Sequence, residues 1–189
     1  MTKNILIKSN MLNCINDYNG DSTKYFSWGD IIGQNKNDSG SYSFSQANYN
    51  AGACGSGHNL SSDIPQGDAR YDASRANMGS QWKMFTKDQG QELIDGTNHI
   101  WTDVNNVDGI KFISKTDSTK YIFLPTSGYW NNYPSINPNN VGQIGAYWST
   151  TWYANDIQTL LFFNNKVTDL TPSVHTSTRY LGYSVRGVR

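Results

Sequence analysis

The sequence predicts an α+β fold in which two short helices pack on small antiparallel sheets and loops make up much of the chain. Both helical patterns lie in the middle of the sequence, and strand patterns follow from Trp101 to the C-terminus. Helices and strands therefore do not alternate as they do in the βαβ units that build parallel sheets. Asn, Ser, Thr, Gly and aromatic residues are abundant, while only 16% of residues are charged, which is typical of short strands joined by polar turns.

The length of 189 residues suffices for one full-sized domain and is short for two. We expect a single domain over residues 1–189, in which residues 1–24 are the least determined part and Asn4–Ile7 forms a short edge strand. Lys and Arg (15) balance Asp and Glu (15), so nucleic acid and anionic membranes are not expected partners. No run of about 18 apolar residues is present, so no membrane insertion is expected.

The N-terminal third contains few decisive patterns. We expect no secretory signal in its first 20 residues, because Asn and Lys interrupt the apolar patch and no small-residue cleavage site follows. Export by another route, or a leader that this sequence does not include, remains open. Lys24–Asp30 (KYFSWGD) is an aromatic cluster that we expect to pack against the core. Residues 32–65 are rich in Gly, Ser, Asn and Asp, which predicts a long irregular segment. A segment of this length either has a function or covers the core as a loop. Cys14 and Cys54 allow one disulfide or two free thiols, and free thiols are the default interpretation.

Two segments predict helices. The first covers Asp68–Met78, with Ala69, Ala73 and Ala76 on one side and Gly79 placed to end it in a left-handed conformation. The second begins at Thr86, whose hydroxyl can cap the backbone amides while Gln89 reaches back in a capping box. Leu93 and Ile94 of this helix are expected to face inward, and Gly96 to end it.

The remaining elements are predicted strands. A β-hairpin is predicted from the strands Gly109–Ser114 and Tyr121–Leu124, which the polar segment Lys115–Lys120 connects. Pro125 ends the second strand. Three more runs rich in aromatic and β-branched residues follow: Ala146–Thr151, Ile157–Val167 and Tyr180–Val188. Between the last two, Thr168–Thr178 contains Pro172 and no regular period, so a polar loop is predicted there.

Several segments carry a family resemblance: Tyr25–Asp30 (YFSWGD), Asp72–Asp95 (DASRANMGSQWKMFTKDQGQELID), Asp108–Phe112 (DGIKF) with Tyr121–Trp130 (YIFLPTSGYW), Gly145–Thr151 (GAYWSTT) and Arg179–Arg189 (RYLGYSVRGVR). In this order, over most of residues 25–189, they resemble the Fibrobacter succinogenes major paralogous domain family, found widely in Bacteroides and their phages. The resemblance implies a C-type-lectin-like fold. Some members are variable proteins of diversity-generating retroelements, which implies a ligand-binding protein on a virion or cell surface, with no cofactor.

Such systems diversify the 3′ end of a gene by error-prone reverse transcription of template adenines. Template Asn codons can then become most amino acids, but not Lys, Glu, Gln, Met or Trp. The segment Thr168–Tyr183 contains none of these five types, although they total 29 of the 189 residues. This depletion is mild and agrees with a diversified C-terminal segment.

Strand alternation then predicts which side chains face the ligand. The LFFN of residues 161–164 resembles the family's LYFN motif, which implies that Leu161 and Phe163 point inward. Leu160 and Phe162 then lie on the opposite, solvent face, and the other register would only exchange the pairs. Exposed apolar groups of this kind indicate a protein-binding patch. The alternative is that a second layer of the chain covers that face.

We therefore predict a binding surface for a protein or cell-surface ligand, with the oligomeric state left open. Its contact residues are Tyr153, Asp156, Leu160, Phe162, Thr168, Leu170, His175 and Tyr180. The predicted scaffold residues are Trp148, Leu161, Phe163, Gly182, Tyr183, Val185 and Arg186. Alternatives are a carbohydrate-binding or adhesin module of fixed specificity and a structural domain without a variable face.

Catalytic and metal-binding patterns are not evident. His58, His99 and His175 are scattered, Glu92 is the single glutamate, and no HExxH, CxxC or phosphate-loop spacing occurs. No enzyme activity and no metal site are therefore predicted, although a Ser, His and Asp triad of distant residues stays open because a sequence cannot exclude it. Calcium-dependent sugar binding is the stronger competitor. Its motifs are only approximated by Asn137–Asn139 and Trp130–Asn132, which lack the acidic ligand that calcium prefers.

Overall fold

The computed structural model describes residues 24–35, 44–52, 56–131, 138–155, 157–164 and 172–189. It is a mixed α+β structure made mostly of small sheets. Its helices are α1 (Gln46–Asn50), α2 (Ala73–Met78) and α3 (Lys87–Asp95), and one 3-10 turn covers Gly57–Asn59. Its strands are β1 (Lys24–Tyr25), β2 (Gln34–Asn35), β3 (Lys83–Met84), β4 (Thr97–Val104), β5 (Val107–Ser114), β6 (Tyr121–Pro125), β7 (Ile144–Ala154), β8 (Ile157–Asn164), β9 (Ser173–Thr178), β10 (Ser184–Val185) and β11 (Gly187–Val188). The predicted edge strand Asn4–Ile7 and both cysteines lie outside the described residues.

The C-terminal sheet has the order β10-β7-β8-β9. Strands β7, β8 and β9 are antiparallel, whereas β10 pairs with β7 in parallel. The prediction of a polar loop over Thr168–Thr178 is therefore wrong for its second half, because Ser173–Thr178 forms β9. The β-branched residues Val174, Thr176 and Thr178 share one face of this strand and favour it, but polar residues on both faces hid it in the sequence.

A second sheet has the order β4-β5-β6 and is antiparallel throughout. The predicted hairpin of β5 and β6 is confirmed. Strand β4 extends the sheet and begins directly after α3, earlier than the sequence indicated. Asn105 and Asn106 join β4 to β5 with φ angles of 53° and 63°. Asn tolerates this left-handed conformation, and two such residues make a tight hairpin turn that matches the twist of the strands.

Capping residues set the positions at which α2 and α3 begin. The capping box of α3 is confirmed, because the Thr86 hydroxyl accepts a hydrogen bond from Gln89 N and the Gln89 side chain accepts one from Thr86 N. Helix α2 begins at Ala73 and not at Asp68, since the Asp72 carboxylate caps it by accepting from Arg75 N. The same carboxylate accepts from Gly67 N and Met84 N. Helix α1 was not predicted.

The hairpin of β7 and β8 is covered by apolar side chains on both faces. One cluster contains Trp148 and Leu160 together with Phe26, Trp28 and Ile64 from the N-terminal part of the chain. The other contains Leu161 and Phe163 together with residues of the β4–β6 sheet and Phe85. The prediction that Lys24–Asp30 packs against the core is confirmed, because Tyr25, Phe26 and Trp28 are fully buried.

The two ends of the described chain meet in the first cluster. Phe26 and Tyr183 exchange backbone hydrogen bonds of 2.9 and 3.0 Å. The Trp28 indole donates to Ser149 O at 2.9 Å, and the Trp148 indole donates to Phe26 O at 2.8 Å. The N-terminal segment thus holds β7 in place through two buried tryptophans. None of the helices formed by the described residues has the length and apolar character needed to cross a membrane.

Candidate ligand-binding surface

The register of β8 and β9 decides which predicted contact residues share a face. Leu160 lies opposite His175, Leu161 opposite Val174 and Phe162 opposite Ser173. Side chains of directly opposed residues point to the same face of a sheet. Leu160, Phe162 and His175 therefore share one face, and Leu161 and Phe163 share the other, as the alternation predicted.

The prediction that Leu160 contacts a ligand from a solvent face is wrong. Leu160 is only 2% exposed and belongs to the same cluster as Trp28 and Trp148. A second layer from the N-terminal part of the chain covers this position, which is the alternative that the sequence left open. The signal was present, because a continuous apolar run such as Leu160–Phe163 is typical of a strand buried on both faces.

Phe162 and His175 form the central feature of the remaining surface, which we call the β8–β9 patch (Phe162, Ser173, His175 and Ser177). The Phe162 ring packs against the first cluster and also against the ring of His175. The centroids of these two rings lie 5.2 Å apart. His175 itself is exposed. The covering layer therefore ends at Phe162, and beyond it an aromatic pair is accessible at the edge of the sheet.

Ser177 links the patch to the core. Its hydroxyl and that of Tyr183 lie 2.8 Å apart, and the Tyr183 ring packs edge-on against Trp148 with centroids 4.8 Å apart. Burial raises the pKa of Tyr183 to about 12. The buried, neutral Tyr183 hydroxyl thus connects β9 to the core through a hydrogen bond.

Tyr153 lies at a different place from the β8–β9 patch. It is 60% exposed near the end of β7, beyond an irregularity in the β7–β8 pairing between Trp148 and Trp152. The nearby residue Ile157 begins β8, five residues before Phe162, which corresponds to roughly 17 Å along the strand. The predicted contact set is therefore spread along the hairpin.

A buried amide supports this exposed hairpin end. The Gln158 side chain is fully buried, accepts from Tyr153 N at 3.1 Å and donates to Ala154 O at 2.9 Å. These backbone groups lie at the irregularity and would otherwise lose part of their hydrogen bonding. Gln158 thus holds the backbone of Tyr153 and Ala154 at the end of β7.

The other predicted contact residues differ in their position and exposure. Tyr180 is half-buried in the turn after β9, where its carbonyl accepts a hydrogen bond from the Ser27 hydroxyl at 2.9 Å. Ile157 was missed by the sequence analysis; it is 36% exposed and pairs with both Ala154 and Thr178. An apolar residue directly after the polar Asn155–Asp156 pair was the available signal. Asp156, Thr168 and Leu170 lie outside the described residues.

The predicted scaffold residues are all buried. Gly182 shows why one of them is small, because a Cβ there would lie 2.6 Å from the Phe44 ring. Backbone hydrogen bonds between Gly182 and Trp130 hold the same position. The complete set of buried scaffold residues is Trp148, Leu161, Phe163, Gly182, Tyr183, Val185 and Arg186.

The histidines are dispersed over three elements. Each packs edge-on or tilted against a different ring: His58 against Tyr49, His99 against Phe112 and His175 against Phe162. Partial burial lowers the pKa of His99, which favours its neutral form. Within the described ranges, no group of three or more His, Cys, Asp or Glu side chains is arranged to hold a metal ion.

Comparison with known proteins gives no relative: no protein-family model, no curated protein and no solved structure matches this chain.

Proposed function

We propose that this chain is a ligand-binding protein with a C-type-lectin-like fold, and that its C-terminal sheet presents a contact surface diversified between copies by a retroelement. Its ligand is a protein or another cell-surface molecule, captured at the surface of a virion or a cell. The proposal rests on the resemblance of the sequence motifs, and the α+β architecture with small sheets and short helices agrees with the implied fold.

The observation that carries the proposal is the separation of buried and accessible side chains within β7, β8 and β9. A diversified position must accept almost any side chain without unfolding the protein. Exposed substitutions usually change the free energy of unfolding by less than about 0.5 kcal/mol, whereas truncating buried Leu or Phe lowers it by about 2–5 kcal/mol. Tyr153 and His175 meet the first condition, while Leu160, Leu161 and Phe163 do not.

The chemistry of the accessible residues also suits recognition. Tyr153 presents a large ring with a hydroxyl, and Phe162 with His175 presents a paired aromatic edge. Aromatic residues are enriched at protein interfaces because they bury a large area with few rotatable bonds. Leu160 is removed from the proposed contact set, and Ile157 is added to it.

Reading the flanks of the gene tests diversification directly. We expect a near-identical repeat of the segment that encodes the C-terminal sheet, beside a reverse transcriptase gene, with differences confined to template adenines. Substitutions between the copies should fall at Tyr153, His175 and their exposed neighbours. Variation spread evenly over buried and exposed positions, or the absence of a repeat, would reject the proposal.

Binding requires a separate test. A display library randomised at Tyr153, Ile157, Phe162 and His175 should yield folded binders to unrelated test proteins. A matched library randomised at Leu160, Leu161, Phe163 and Trp148 should yield mainly unfolded chains. Equal recovery of folded binders from the two libraries would contradict the division between contact surface and scaffold.

A further inference from the structure

The outer edge of β9, opposite β8, is unpaired among the described residues. In the order β10-β7-β8-β9, one edge of β9 is paired with β8 over six residues, and the described part of the chain places no strand on the other edge. In an antiparallel pair, every second residue of an edge strand directs its N–H and C=O groups away from its neighbour. This row of donors and acceptors matches the backbone of an extended peptide.

Natural proteins usually protect such an edge with charges, proline, bulges or short length. Strand β9 reads SVHTST, contains no Lys, Arg, Asp, Glu or Pro, and pairs with β8 in continuous register. The other described edges differ: β4 carries the exposed Asp103, β6 ends at Pro125, and β10 is two residues long. Among these edges, β9 is the least protected against pairing with another strand.

The surroundings of the edge define what a partner strand would meet. The face that carries Ser173, His175 and Ser177 continues into the Phe162 ring, and His175 and Thr176 are exposed in the middle of the strand. On the opposite face, Val174 lies beside α3, within 3.9 Å of the position a Cβ would take at Gly90. Neither β9 nor the β8–β9 patch contains a charged residue, whereas α3 on the side of Val174 carries the exposed Lys87, Asp88, Glu92 and Asp95.

We propose that β9 binds an extended segment of a partner protein, uncharged where it meets the β8–β9 patch, as an additional strand of the C-terminal sheet. Alternate residues of that segment contact the Phe162–His175 pair, and the residues between them lie on the side of α3 and Val174. Backbone hydrogen bonds provide affinity, and the aromatic pair selects the side chains on one face. The inference rests on the proposed ligand-binding function and specifies the class of ligand and its mode of binding.

The test leaves the protein unchanged and modifies the ligand. Linear 12-residue peptides are selected from an unbiased display library on the full chain, and the selected peptides are resynthesised with single backbone N-methyl groups. We expect methylation at every second residue to weaken binding by at least tenfold, with little effect at the residues between. Hydrogen exchange should show new protection at alternate amides of β9 when a peptide binds.

The outcomes separate this inference from the proposed function. Binding that tolerates N-methylation at every position but is lost in His175→Ala overturns strand addition and keeps the ligand-binding surface. Binding that depends on neither His175 nor the peptide backbone rejects both. Protection of all β9 amides in the free protein, or selection of no peptide at all, also overturns strand addition. Selection of peptides that are charged where they meet the β8–β9 patch, and whose binding disappears at high salt, contradicts the uncharged contact.

Discussion

Leu160 and His175 lie directly opposite each other across the β8–β9 ladder, yet Leu160 is buried and His175 is exposed. The boundary of the covering layer therefore runs between two neighbouring positions of one sheet face. Leu160 packs beneath residues from the N-terminal part of the chain, whereas His175 stands at the edge beyond them. This boundary separates positions where substitution disturbs the core from positions where it does not.

Substitution of these two residues should have very different consequences. We expect Leu160→Ala to lower the free energy of unfolding by about 2–5 kcal/mol, because it leaves a cavity in the first cluster. His175→Ala should change it by less than about 0.5 kcal/mol, since the side chain is exposed. Urea unfolding of both variants measures the difference. Similar losses in the two variants would show that the covering layer does not distinguish the positions.

Gln158 should be important for the hairpin end although it has no role in contact with a ligand. Gln158→Leu removes the amide that serves Tyr153 N and Ala154 O, and unsatisfied buried groups lower stability by about 1–3 kcal/mol each. We expect faster hydrogen exchange at Tyr153 N in this variant. Gln91→Leu is the matched control, because the Gln91 side chain bonds to Asp95 at an exposed helix surface. Equal effects of the two changes would contradict a specific role for Gln158.

Asp30 should make stability depend on pH. Its carboxylate is 2% exposed and accepts from Ile32 N and Gly33 N at 2.9 and 3.1 Å. Burial raises its pKa from 3.8 to about 6, and the backbone hydrogen bonds and Lys24 only partly oppose this. The folded state therefore holds the proton more tightly than the unfolded state. The resulting stabilisation is complete below pH 3.8 and is lost as the pH rises through about 6.

Comparison with Asp30→Asn measures this effect. Between pH 4 and pH 7, the wild-type chain should lose about 2 kcal/mol of unfolding free energy relative to the variant, since each unit of pKa shift corresponds to about 1.4 kcal/mol and pH 4 already lies above the unfolded pKa. Thermal unfolding at several pH values in this range provides the data. Parallel stability curves for the two chains would show that Asp30 does not titrate differently in the folded state.

Gly145 should tolerate no side chain while Phe163 keeps its ring. The two residues are direct partners in the β7–β8 ladder, and a Cβ on Gly145 would lie 2.1 Å from the Phe163 ring. Overpacking of this kind usually destabilises by about 1–3 kcal/mol. Gly145→Ala should therefore be destabilising alone and less so in combination with Phe163→Leu. A double-mutant cycle measures this coupling, and purely additive effects would contradict the steric explanation.

Local signals predicted some elements correctly. The Thr86 and Gln89 capping box lies within one turn of chain, so the start of α3 could be read directly. Asp72 caps α2 while it also binds Gly67 N and Met84 N. Those partners come from outside the helix and hold the carboxylate at the cap of α2. Asp72 is itself a favoured N-cap residue, so the start of α2 at Ala73 could have been read locally.

Local signals were not sufficient for the candidate surface. Alternation correctly grouped Leu160 with Phe162 and Leu161 with Phe163, because the period of a strand is local. Whether a face is covered depends on the rest of the chain, and Phe26, Trp28 and Ile64 cover Leu160 from more than 90 residues away in sequence. Strand β9 was missed for a related reason. Its polar residues gain their regular conformation from pairing with β8 and not from an apolar pattern of their own.

The backbone pairing of Phe26 with Tyr183 has a consequence for how the protein is made. Tyr183 and Val185, which complete the first cluster, are synthesised long after Phe26 and Trp28, so the two buried tryptophans cannot reach their final environment before that part of the chain has been made. Contacts so distant in sequence favour slow folding. If the C-terminal segment is diversified as proposed, each variant must still form the first cluster in order to fold. Variants that cannot form this cluster would misfold and would therefore bind no ligand.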